Sequence, residues 1–523
     1  MSKFYEKVAY RDVEEDIQSQ KSMDKWIFGL LLIVIGFVPL IVMGSIVEIQ
    51  SPLITNISTL MGGEKGDLFT HYKALVLVVI TILVAILFMA KILFMDGTIR
   101  KTKLNYAIGA FAVIIVISTI FSPNISIALH GQYNRSDGAI SWLCYLALFF
   151  IGMNIEYPKK ALNNILYSLY PFVIINLFVI TKNFYGNDLL QNVTVQKIVK
   201  AFLPAGTEIA EGSVLVGTLN QWNYMSGMSA IMTIMFLTAA IIEKQVGRAI
   251  GHLMIAIMSI AVMLMAISTS GFLTICIMML VVLFIAFRSE KKIQSFAMIA
   301  VFLVAIIPIF HELASKNAKV WDESIGFIIK SNPYSKEEST STISFKRNEN
   351  FDINWMTNAY AAEKFELPVL PDANWGPGTG RIYIWGKTLE LMKERPLLGY
   401  GLDTLIYNFP HNDLEARGNL NEVTIVDKPH NIYIGVAYGT GVIGIVIFLG
   451  ILLFTLRWVV VKIFTFNKLS SNLVITLCVA WLAFLFQSLF NDTSIGITGP
   501  LFTIGGIMIG ILINNNKEKN ITT

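Results

Sequence analysis

The chain has 523 residues, of which 54% are hydrophobic and 15% charged, and its mean hydropathy is +0.62. Ordinary soluble domains carry about 25% charged residues, so this composition excludes a soluble multidomain enzyme. Forty basic and 36 acidic residues leave a net charge of +4, too little for a nucleic-acid-binding face.

Apolar runs of roughly 17 to 25 residues, the length that crosses a bilayer, predict twelve spans. They lie near 26–48, 74–93, 105–121, 139–155, 162–181, 222–242, 252–268, 270–287, 295–311, 431–455, 471–490 and 499–513. Each is read as a helix, because backbone groups in hydrocarbon must bond within their own segment and a barrel would show alternating ten-residue strands. The fold class is therefore an all-α polytopic membrane protein. The first run is too long for a signal-peptide core and has no small-residue cleavage site behind it, so it reads as a retained span.

Charge sets the orientation. Lys3, Lys7, Arg11, Lys21 and Lys25 precede the first span, and Arg100, Lys159, Lys244, Arg288, Arg457 and Lys517 fall in alternate connections. The positive-inside rule makes that side cytoplasmic, with both termini on it, and points to the cytoplasmic membrane. The expected organisation is a tail over 1–25, nine spans over 26–311, an outer domain over 312–429, three spans over 430–513 and a tail over 514–523. The outer domain holds 17 acidic and 13 basic residues, which makes it mildly acidic, and enough aromatics and leucines to fold. Its first half is polar and loop-like. Its second half contains a motif helix over 380–395, with Ile382, Trp385, Leu389 and Met392 on one stripe, Thr379 as its cap and Pro396 as its stop. Cys144, Cys276 and Cys478 all sit in apolar runs and read as packing residues.

Cations on the outer side are informative because the orientation rule depletes short outer loops of them. Arg135, in HGQYNRSDGAISW before the fourth span, reads either as a headgroup-level side chain or as a phosphate ligand, since guanidinium grips phosphate oxygens two at a time. Arg381 opens the motif helix in GPGTGRIYIWGKTLELMKERPLLGYG. A helix N-terminus already favours an anion, so a cation there costs the helix something and fits an anion site beside free backbone N–H groups. His430, in DKPHNIYIGVAYGTG at the mouth of the tenth span, follows Pro429 and precedes Asn431, a residue suited to capping the helix. A neutral imidazole there can take a proton from a hydroxyl near neutral pH. Gly439, Gly441 and Gly444 spell a dinucleotide-binding pattern, but they lie within an apolar helix with no strand before them and read as close helix packing. The outer segments show no Asp-x-Asp pair and no metal-spaced His/Cys cluster, which argues against a metal-dependent mechanism.

The pairing of GRIYIWGKTLELMKERPLLGYGLDTL with PHNIYIGVAYGTGVIG between the ninth and tenth spans resembles the O-antigen ligase and O-antigen polymerase-like superfamily. HGQYNRSDGAISW and GTLNQWNYMSGM are weaker echoes. The resemblance implies a fold similar to GT-C membrane glycosyltransferases and transfer of glycan from an undecaprenyl-diphosphate carrier, without metal or other cofactor. By the same resemblance His430 matches the base and Arg381 an arginine that holds the diphosphate. A second family arginine is missing, since STSGFLT places Gly271 and Phe272 there, and Arg135 is a possible substitute. The implied partners are the lipid-linked donor, a glycan or lipid acceptor, membrane lipids, a flippase and a chain-length regulator, and no nucleic acid. Polymerisation of a surface polysaccharide is the preferred activity. A ligase acting on a lipid, protein or wall acceptor is the alternative, and a twelve-span transporter a lesser one.

Overall fold

The computed structural model describes residues 13–53, 60–204, 215–335, 380–420, 425–465 and 473–522. The described chain is almost wholly helical, with one two-stranded sheet. The first nine long helices are α1 (Val13–Gly36), α2 (His71–Phe94), α3 (Lys103–Ile120), α4 (Ala139–Asn154), α5 (Ala161–Phe184), α6 (Trp222–Ile242), α7 (Val246–Met265), α8 (Thr269–Arg288) and α9 (Lys292–Lys316). A shorter α10 (Arg381–Glu394) follows, and then α11 (Ile432–Phe464), α12 (Val474–Gln487) and α13 (Ile495–Thr522). Ten of these are long and apolar enough to cross a membrane, and α4 and α12 are shorter apolar helices at the places of the fourth and eleventh expected spans. The chain is a multi-pass membrane protein.

The first helix differs from the expected 26–48. It is already helical at Val13, the first described residue, and stops at Gly36, before Pro39. Its early start is possible because Asp24 is buried against Lys91 of α2 at 2.7 Å, so the charged stretch joins the bundle instead of hanging free. Ser45–Ile49 (β1), counted within that span, instead pairs antiparallel with Gly63–Asp67 (β2). Two β-branched residues in a row, Ile46 and Val47, followed by Glu48, suit a strand better than a span centre.

The core is organised around α6, whose span is buried along its whole length, whereas α9 leaves most of its apolar surface outward. Ser229, Thr233 and Thr238 let α6 be buried in polar-tolerant fashion, because the two threonine hydroxyls donate back to the carbonyls of Ser229 and Ile234 in the preceding turn. Cys144 and Cys478 are buried, but Cys276 lies on an exposed face, so the packing reading fails for that residue.

The break in α11 positions everything that follows. Residues 432–464 form two helical pieces that meet at Gly441, and the second of them, 442–464, is about 35 Å long, enough by itself to cross a hydrocarbon layer of ~30 Å. At Gly441 the backbone takes φ 67° and ψ −170°. Helical pairing there is replaced by the segment after α10: Tyr400 N–H donates to Tyr438 C=O at 3.0 Å, Gly401 N–H to Gly439 C=O at 2.9 Å, and Val442 N–H to Pro396 C=O at 2.7 Å. A Cβ at Gly441 would sit 2.3 Å from the Leu397 oxygen, so only glycine fits. The glycines expected to bring two helices together thus admit mainly a loop, although Gly444 also lies against Ile114 of α3.

Candidate active site

The helix starts of α2, α4, α6, α8, α11 and α13 alternate in sequence with starts at the opposite end, and the loops before α4, α11 and α13 converge. His430 lies at that convergence. Its backbone is left-handed (φ 53°), a conformation that costs a non-glycine residue about 1–2 kcal/mol. Flanking contacts hold it: Trp385 Nε1 of α10 donates to Pro429 C=O at 2.7 Å, and the next residue's N–H donates to Asp492 at 3.2 Å. Asn431 caps α11 as expected, accepting from the N–H groups of Tyr433 and Ile434.

The His430 Nδ1 donates to Asp492 Oδ2 at 2.8 Å, while Nε2 has no partner among the described residues. Burial disfavours the imidazolium, but the Asp492 carboxylate outweighs it, with help from Asp427, and the pKa is raised above its ordinary value. Asp492 therefore fixes which nitrogen carries the proton and leaves Nε2 as the one able to accept one.

Arg381 is the first residue of α10, behind Gly380 at φ 70°. It makes no hydrogen bond or ion pair among the described residues, and its Nε is buried without a partner. Burial lowers its pKa, against the pull of Asp492 and Glu323, and its charge in turn lowers that of His430. An uncompensated guanidinium at a helix N-terminus is an anion site in waiting. The expected stripe of α10 is corrected: Ile382 and Leu389 are 56% and 45% exposed, while Tyr383, Ile384 and Thr388 are buried. The helix is oriented by packing on α11 through that second face, which periodicity of the larger apolar residues does not reveal. Thr379 and residues 336–379 of the expected outer domain lie outside the described residues.

Arg135 reaches the same neighbourhood but is already engaged. It pairs with Asp427, three residues before His430, and donates to Asn134 C=O at 3.0 Å. Burial is offset by Asp427, so the Arg135 pKa is raised and that of Asp427 lowered. Lys428 bridges two buried carboxylates, Asp137 at 2.9 Å and Asp403 at 3.2 Å. Burial pushes the Asp403 carboxyl up to about 6 against the pull of Lys428. Thr493 donates to Asp137 as well. These pairs tie the loops before α4, α11 and α13 and the turn at Asp403 into one unit.

The sequence reading missed Asp137, Asp403, Asp427, Lys428 and Asp492. Lys428 satisfied the rule applied to Arg135, a cation in an outer connection beside a span, and was passed over for its neighbour. Asp492 is the lone charge in the connection between α12 and α13, a signal that could have found it.

The family model described as O-antigen ligase matches residues 253–449, from α7 to the middle of α11, and that segment holds both Arg381 and His430. The motif resemblance is thereby borne out: over that segment the chain is similar to the O-antigen ligase family of membrane enzymes. A search of curated proteins finds no match. Arg135, Asp137 and Asp492 lie outside the matched segment, on loops that complete the site from both flanks.

Proposed function

We propose that this protein transfers a glycan from an undecaprenyl-diphosphate carrier to a sugar hydroxyl at the outer face of the cytoplasmic membrane, polymerising the repeat units of a surface polysaccharide. The observation that carries the reading is the juxtaposition of a His–Asp pair and an arginine at a helix N-terminus, with neither Nε2 of the histidine nor the guanidinium hydrogen-bonded among the described residues. In the proposed step the acceptor oxygen attacks the anomeric carbon while His430 Nε2 takes its proton. The bond from that carbon to the phosphate oxygen breaks, and the electron pair leaves with the lipid diphosphate. Arg381 and the free N–H groups of α10 meet the charge that develops there, the kind of stabilisation worth about 3 kcal/mol per donor. Arg135 can act as a second ligand only by exchanging Asp427 for phosphate. Single displacement inverts the anomeric centre.

Both termini are cytoplasmic in this reading, and a flippase and a chain-length regulator would supply the donor and set product length. The test is a deletion strain. Single repeat units left on lipid support polymerisation, whereas full-length chains stranded on lipid support the ligase alternative. A product that retains the donor's anomeric configuration contradicts single displacement.

A further inference from the structure

A second cavity lies beside the ionic cluster and is far larger than the space within it. About 40 Å³ is open next to Lys428, room for a few waters at most. Across the loop before α4, a cavity of about 690 Å³ opens between β1, the start of α2 and the short helix Ile125–His130, within the ~300–1,000 Å³ range of small-molecule sites. The two spaces share a wall. Arg135 and Asp137 of that loop turn to the ionic cluster, whereas Gln132, Asn134 and Ser136 line the large cavity.

The lining chemistry selects the ligand. The described lining includes Glu48 and Asp67 and neither lysine nor arginine. Lys65 stands nearby, its ammonium 5.2 Å from the centre of the Tyr133 ring, and is not part of the lining. A diphosphate is therefore disfavoured, and its counter-charge, Arg381, is elsewhere. Hydroxyl recognition is favoured. Gln132 is 4% exposed, and its Oε1 and the Oδ1 of Asn134 are buried with no hydrogen-bond partner among the described residues, so each gains a bond if it turns toward a ligand hydroxyl. His71, His130 and Tyr133 supply aromatic rings of the kind that meet the apolar face of a sugar, and Leu75, Val78 and Ile140 share the lining.

We propose that this cavity binds an uncharged glycan segment of the acceptor, holding it against the loop that carries Arg135 and Asp137. The proposal rests on the transferase reading and names a subsite for it. All of the lining precedes residue 253, where the family match begins, so the subsite belongs to a part of the chain that the family model does not cover.

The test uses the full chain in lipid nanodiscs and an uncharged oligosaccharide released from the strain's own surface polysaccharide, tagged with a diazirine. Photolabelling located by mass spectrometry is expected within residues 126–141. Ala74→Trp, which fills the cavity from α2, should cut labelling about tenfold, a change of one decade in affinity. Asn134→Ala, a smaller change, should cut it about fivefold, as for loss of one neutral hydrogen bond. Both variants should raise the KM for acceptor and leave that for donor unchanged, and farnesyl diphosphate should not compete. Label elsewhere in the chain, competition by farnesyl diphosphate, or equal labelling of wild type and both variants overturns the proposal. Cavity labelling without transfer from a lipid diphosphate upholds the glycan site and refutes the transferase reading. Transfer with an unlabelled cavity does the reverse.

Discussion

Both ends of the helical bundle bury cations, and they treat them differently. At the end opposite His430, Lys91 gives two hydrogen bonds to Asp24, at 2.7 and 2.9 Å, and Asp24 also accepts the Glu156 N–H. Arg100 there spends its guanidinium on backbone carbonyls of Met153, Ile155 and Gly510, where α4 ends and α13 passes. Unpaired carbonyls at a helix end need such donors. At the His430 end, Lys428 and Arg135 are spent in the same way, but Arg381 and the Nε2 of His430 have no hydrogen-bond partner among the described residues. Committed charges hold the bundle together, and the uncommitted ones are those free to meet a substrate.

That contrast can be broken by substitution. His430→Ala should abolish surface polysaccharide in cells, a loss of about 10²–10⁴ in rate for a missing general base. Its loss of thermal stability should be smaller than that of Lys91→Met, because the His430–Asp492 pair is the more exposed of the two and Asp492 still accepts the Asn431 N–H. Lys91→Met should do the opposite. It leaves Asp24 buried and alone, costs about 3–5 kcal/mol of stability by thermal unfolding in detergent, and largely recovers when combined with Asp24→Leu. If His430→Ala proves as destabilising as Lys91→Met, the division between structural and reactive charge fails.

Arg381→Ala should lower turnover about 10²–10³-fold with little change in unfolding temperature, because no partner is orphaned by its removal. Asp492→Asn sharpens the role of the imidazole. The carboxylate raises the His430 pKa, so His430 is protonated and inactive as a base below that value and active above it. Removing the negative charge lowers the pKa, and the acid limb of the pH–rate profile should move to lower pH even as kcat falls. Asp427→Asn has the smallest expected effect, under about tenfold, because the amide oxygen can still accept a hydrogen bond from Arg135. It weakens the hold on Arg135, and a lower KM for donor would identify Arg135 as a phosphate ligand, whereas a higher one would make the pair purely structural.

The spans were legible because hydrocarbon permits few alternatives, and a run of apolar residues must be helical there. Asn431 was legible as a cap, and Arg381 and His430 stood out, because each depends on local position. The start of α1 was not, since Asp24 is tolerated only through Lys91, 67 residues away. The same holds for Asp492, whose function comes from contact with a residue 62 positions earlier. Nor does any local pattern tell that Gly441 admits the turn Pro396–Gly401 into a broken helix. Carboxylates that answer distant cations carry no local period, so their places emerge only with the tertiary fold.

The division of labour between His430 and Arg381 is tested most directly by measuring donor binding and single-turnover transfer on the same purified protein in nanodiscs with a lipid-diphosphate glycan. The mechanism predicts that His430→Ala binds the donor as the wild type does and fails to turn it over, while Arg381→Ala binds it more weakly. Wild-type turnover by His430→Ala, or wild-type donor affinity and turnover in Arg381→Ala, would contradict it.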